Sequence, residues 1–187
     1  KYPYYLGWRF SAPNRGVRIN ERLAAMNNAT PDSLRKLQND NFNVAARRIL
    51  PTLLPYLKNN SDPNLKEAIY EIANWNKIND ANSVGATIYE RWTKDLFYWI
   101  WGDEFNSEMI YPTEDRTFEI LKNQPNSKWL DNVKTKNKVE KISEIVNGSF
   151  KASIDTLTLK FGKYNKETWA WANVKSTSIK HLVPAFS

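Results

Sequence analysis

The sequence has no cysteine and a single histidine, His181, in 187 residues. The first absence excludes disulfides, thiolate zinc sites and a cysteine nucleophile. The second excludes a metal centre built from several histidines, and no Asp/Glu cluster has ligand spacing, so the expected metal site is none. No apolar run approaches the roughly 18 residues that cross a bilayer. The longest, Leu96 to Trp101, is far shorter. H-E-x-x-H, P-loop, G-x-G-x-x-G and G-x-S-x-G motifs are all missing. Lys1-Tyr2-Pro3-Tyr4 lacks the charged start and apolar stretch of a signal peptide, and also a starting Met. The N-terminus therefore reads as cut or processed. There are no internal repeats, no linker and no low-complexity tract.

What is there reads as one helical domain over residues 1–187. Hydrophobic residues make up 41% and aromatics 13%, with 8 Trp, which argues against disorder and for a core. The net charge of +7 comes from 27 Lys+Arg against 20 Asp+Glu. Such a balance can mark nucleic-acid or membrane binding. Here the bases are mixed with acids, as in Lys134-Thr135-Lys136-Asn137-Lys138-Val139-Glu140-Lys141, which is the pattern of a solvated face. The expectation is no nucleic-acid and no membrane partner.

The first 20 or so residues read as irregular. Apolar spacing then predicts helix from Arg15 to Met26, through Val17, Ile19, Leu23 and Met26. Thr30-Pro31-Asp32 is a helix start with a capping hydroxyl and a proline in the first turn, leading to about Asp40. Val44 to Leu57 is apolar on one face, but Pro51 and Pro55 predict a kink or restart. Ser61-Asp62-Pro63 starts another helix, which Trp75 closes. Asn82 or Ser83 opens a longer one with Val84, Ile88, Trp92, Leu96 and Ile100 on one face, widened by Trp99 and Trp101. Thr113 caps a short helix through Leu121, and residues 123–135 read as a polar loop. Val139, Ile142, Ile145, Val146, Phe150, Ile154, Leu157 and Phe161 define the last long helix, with Gly148 inside it and Gly162 as its stop. Trp169 to Ile179 suits an extended segment.

Candidate chemistry is thin. His181 and the Asp103-Glu104 pair read more readily as structural groups than as catalysts. Trp75, Trp92 and Trp99 fall at core positions of helices. Trp8, Trp169 and Trp171 lie in irregular or extended stretches, where core packing and a ligand wall are both open. The N-x-S/T triplets at Asn28, Asn59 and Asn147 bear only on a eukaryotic secretory route.

A more specific signal lies in the order of short motifs. Leu6-Gly7-Trp8, then Pro13-Asn14-Arg15-Gly16-Val17-Arg18-Ile19-Asn20-Glu21-Arg22-Leu23, resembles the LG-x-x-W-x-x-P-x-R-x-x-R-I-x-x-L stretch of the penicillin acylase (penicillin amidase) family. Thr30-Pro31-Asp32 with Leu37-Gln38-Asn39-Asp40 is similar to its T-x-x-D-x-x-x-x-Q-x-D helix. Ala46 to Leu53 resembles A-x-x-x-L-P-x-L, and Asn74-Trp75-Asn76 matches a Trp followed by a short polar turn. Ser83 to Tyr89 with Trp92 resembles S-x-x-A-x-I-x-x-x-W. Trp169-Ala170-Trp171-Ala172 resembles W-x-W-G, with Ala172 in place of the glycine, and His181-Leu182 and Pro184-Ala185-Phe186-Ser187 complete the likeness.

The resemblance implies a mainly α fold: the helical portion of the β chain of an N-terminal-nucleophile amidohydrolase, whose parent is an αββα sandwich. In that family a self-processed β chain begins with a Ser that uses its own α-amino group as base. The oxyanion is held by a backbone N–H and an Asn side chain. Both Ser and Asn would lie upstream of Lys1, so this chain alone is expected to be inactive. The family's first R-x-x-R-I arginine, which holds those groups in place, maps to Arg15; the competing reading is a helix-start salt bridge. Arg18 is expected to pair with Glu21 or Asp32, and Trp8 and Phe10 to border the acyl pocket. No cofactor is implied in this chain, since the structural calcium often found in the family is bound elsewhere. The implied partners are the rest of the α and β chains and a small N-acyl substrate such as a β-lactam or acyl-homoserine lactone, linked to antibiotic metabolism, in a periplasmic or secreted protein. The alternative from another class is a free-standing helical binding module.

Overall fold

The computed structural model describes Tyr4 and residues 12–106 and 108–177. Among these residues there is no strand, only one isolated antiparallel bridge, Phe42 with Ile78. The helices are α1 (Asn14–Ala24), α2 (Pro31–Gln38), α3 (Val44–Leu57), α4 (Lys66–Asn74), α5 (Val84–Trp101), α6 (Glu114–Asn123), α7 (Ile142–Phe161) and α8 (Trp171–Lys175). Short 3-10 turns at Pro63–Leu65 and Lys128–Leu130 precede α4 and follow α6.

The starts follow from local chemistry. Thr30, Asn43, Ser83 and Thr113 each accept a bond from a backbone N–H of the first turn, satisfying donors the helix cannot. Thr30 and Ser33 do so reciprocally. The expected restart in α3 does not occur. Pro51 and Pro55 both face solvent, so the carbonyls of Arg47 and Pro51 that lose their helical donors can turn to water. Residues 123–135 are not wholly polar loop: Leu130 is buried, and Trp129 lies 5.6 Å from Trp101 between ring centres. Val139, counted with the last helix by its apolarity, precedes α7 and is exposed.

The antiparallel pair α5 and α7 forms the centre. Trp92 is fully buried, meets Phe150 edge-on at 4.9 Å and donates Nε1–H to Ser149 Oγ at 3.0 Å. The expected apolar line Val84, Ile88, Trp92, Leu96 and Ile100 is buried along its length. Trp101 is also buried and donates to Thr117 Oγ1 of α6 at 3.1 Å, whereas Trp99 stays 38% exposed. Ile49, Leu50, Leu53 and Leu57 of α3 and Ala68 and Ile72 of α4 close the same core.

The expected extended segment at Trp169–Ile179 is corrected where the structure describes it: Trp171–Lys175 is helical. The apolar alternation of Trp169 and Trp171 has no neighbouring strand among the described residues to pair with. Instead Trp169 is buried edge-on against Tyr164, and its Nε1–H donates to the Gly162 carbonyl at 3.1 Å. A local turn then satisfies the backbone that a sheet would otherwise have to pair. Residues 178–187, with His181, lie outside the described residues. No helix among the described residues is long and apolar enough to cross a membrane.

Candidate functional site

The arginines of α1 converge on the end of α2. Arg15, on the first turn of α1, donates Nη1–H to the Asp40 carbonyl at 3.0 Å and Nη2–H to the carbonyls of Leu37 and Gln38 at 3.0 and 3.2 Å. These are carbonyls at the C-terminal end of α2, where helical donors run out and a cation is favoured. Among the described residues Arg15 forms no ion pair, and a carbonyl clamp takes the place of the helix-start salt bridge. A guanidinium offers five N–H donors. Three bonds to these carbonyls leave Nε–H and the second Nη1–H without a partner among the described residues, on an exposed side chain.

Arg18, one turn on, meets Asp40 and not Asp32. Its Nε lies 3.0 and 3.1 Å from the two Asp40 oxygens and its Nη2 2.8 Å from Oδ2, with Glu21 a weaker contact at 3.8 Å. The reason is topological: Asp32 sits at the far end of α2 and pairs with Arg35, while Asp40 lies at the end α1 packs against. Asp40 also accepts from the Phe42 backbone N–H at 3.1 Å and has Arg22 at 3.6 Å. The Arg18 bond, helped by these neighbours, holds the Asp40 carboxyl below the usual aspartate range. The Phe42 ring lies under the Arg18 guanidinium at 4.3 Å and within 5.4 Å of Arg47, which in turn clasps Glu21. A small cavity of about 230 Å³ opens here between Arg15, Arg18, Asp40, Phe42 and Asn79.

Sequence reading picked out Arg15, and the structure sets it at this junction. Asp40, the carboxylate on which the junction turns, appears in the sequence only as the last letter of a motif. Trp8 and Phe10 lie outside the described residues. Asp103 and Glu104 follow α5 and do form a carboxylate pair. Asp103 accepts from the Val133 N–H at 2.7 Å, anchoring the loop before α7. Burial, then the bond to Asp103 and its charge, push the Glu104 carboxyl up to about 7. Tyr89, buried with no partner for its hydroxyl, is pushed up by burial and by Glu114 and Glu90, so it stays a neutral phenol. No group of three His, Asp or Glu among the described residues could hold a metal.

Among the described residues, these features define a helical assembly with an arginine-lined junction between α1 and the end of α2. The chain belongs to the penicillin amidase family, whose sequence model matches residues 1–186. Membership supports an amide-bond hydrolase as the general class. Comparison with the curated proteins gives no match.

Proposed function

We propose that this chain is a helical segment from the β-chain region of an N-terminal-nucleophile amidohydrolase that cleaves the amide bond of a small N-acylated compound. The family match over residues 1–186 carries this reading. The absence of strands among the described residues is in keeping with a segment that supports the αββα sandwich without supplying it. The nucleophilic Ser, its α-amino base and the oxyanion Asn would come from the rest of the parent.

Arg15 has the geometry for the supporting role. Its guanidinium is locked to the end of α2 by three carbonyls, so its orientation is fixed before any partner arrives. The two remaining N–H groups can then hold an amide or carbonyl oxygen on the catalytic segment without paying much side-chain entropy. In α1, moreover, no residue is buried although Val17 and Leu23 are apolar. Exposed apolar side chains on this helix suit a surface covered by the remainder of the enzyme. The substrates in view are β-lactams, acyl-homoserine lactones and related N-acyl compounds, in a periplasmic or secreted setting, with any structural calcium bound outside this segment.

The test is an assay of the chain with phenylacetyl and fatty-acyl anilides. The expected result is no turnover. Turnover by the chain that survives Arg15→Ala would overturn the proposal, because it would place a complete catalytic centre here.

A further inference from the structure

A cavity of about 750 Å³ lies between α5, α7 and α8, with Asn41, Phe42 and Asn79 at its rim. That is the size range of small-molecule sites. Its apolar side is formed by Leu157 and Phe161 of α7 and by Trp171 and Val174 of α8. Its polar side is cationic. Arg91 is neutralised by Asp95 one turn along α5. Lys94 and Lys160, from facing helices, have no ion-pair partner among the described residues, and Lys175 lies over the Trp171 ring at 5.3 Å. Glu90 is the one acid in the lining among the described residues. Thr87, 1% exposed, also lines the cavity, and its Oγ1 has no hydrogen-bond partner. A buried hydroxyl without a partner is costly in a folded protein and is one of the marks of a site whose partner is a ligand.

We propose that this cavity binds an amphipathic organic carboxylate, with an aryl or short alkyl body against Trp171, Val174, Phe161 and Leu157 and its carboxylate between Lys94 and Lys160. Charge and shape both select this class. A neutral apolar molecule would leave the ammonium groups without a counter-charge. A bare inorganic anion would leave the aromatic wall in water and gain nothing from it. The Thr87 hydroxyl gives an oxygen-bearing ligand one buried donor. The inference does not rest on the amidase reading, since it uses only residues and space within this chain.

The test is calorimetric titration of the 187-residue chain with phenylacetate and octanoate. Phenylacetamide and inorganic phosphate serve as the neutral and the purely ionic control. The expected result is saturable binding of the two carboxylates, weakened roughly fivefold by Lys160→Gln and similarly by Lys94→Gln, a size fitting one partly exposed charge contact. Both lysines are exposed, so the variants should fold as the parent does. Amide NMR shifts induced by phenylacetate should centre on residues 171–175. No saturable binding, affinity unchanged in both lysine variants, or equal affinity for phenylacetamide or phosphate would each overturn the proposal.

Discussion

Arg15 holds the end of α2 by its carbonyls, so Arg15→Ala should remove three hydrogen bonds to them and cost about 1 kcal/mol, read as a lower denaturant midpoint at unchanged slope. Asp40 behaves differently, because its carboxylate must be ionised to serve Arg18. Its folded-state ionisation is lowered, so the stability it contributes is present above the ordinary value near 3.8 and is lost as pH falls through the lower folded value. Asp40→Asn should therefore lower the melting temperature at neutral pH and converge with the wild-type chain in strong acid. Glu104 has the opposite sign. It keeps its proton in the fold up to about 7, whereas an unfolded glutamate releases it near 4.5. Between those values the folded state holds the extra proton, so stability falls as pH rises. Thermal melts of Glu104→Gln should lose that downward slope; a slope that persists would mean another group causes it.

At the scale of the elements, helix starts were legible in sequence because a cap is a local device. A hydroxyl or amide needs only the N–H three residues on, and Thr30, Ser83 and Thr113 act as expected. Two things were not legible. The prolines of α3 are tolerated because they point to solvent, which depends on which face the fold buries. The helix at Trp171–Lys175 replaces an expected extended segment, and no strand among the described residues offers it an edge to join. Glycines inside helices show the same dependence on neighbours. A Cβ at Gly85 would overlap the root of the Trp75 side chain, which is buried and tied by its Nε1–H to the Ile78 carbonyl. A Cβ at Gly148 would meet only the outer edge of the Trp99 ring, which is partly exposed and free to swing away. Alanine gains about 1 kcal/mol over glycine in a helix, while overpacking costs about 1–3 kcal/mol where nothing can yield. Gly148→Ala should therefore be near neutral and Gly85→Ala clearly destabilising, as compared by chemical denaturation.

The whole molecule is held by the α5 and α7 pair, and its weak point is polar. Trp92 and Ser149 are both fully buried and bonded to each other. Ser149→Ala should leave the indole N–H without a partner at the centre and cost about 1–3 kcal/mol, more than the lost atom's volume would suggest. That figure compares with a total stability of about 5–15 kcal/mol for a domain, so the effect should be plain in a melt. On the outside, α1 keeps Val17 and Leu23 exposed at 39% and 43%. If the rest of an amidase normally covers them, the isolated chain should bind a hydrophobic dye or self-associate, and Val17→Asp with Leu23→Asp should suppress either behaviour.

The sequence by itself determined the helical class, most helix starts, the buried lines of α5 and α7 and, through motif order, the family. All of these rest on periodicity and near-neighbour chemistry, which survive without coordinates. It also singled out Arg15. Only the tertiary structure decided what the arginines touch. Arg15 and Asp40 are far apart along the chain, and the choice of Asp40 over Asp32 depends on which end of α2 meets α1. Likewise Lys94 and Lys160 come to line one cavity because α5 and α7 run antiparallel, and Trp171 closes its wall because α8 folds back as a helix. Long-range pairing of this kind follows from packing geometry, and no local pattern in the sequence encodes it.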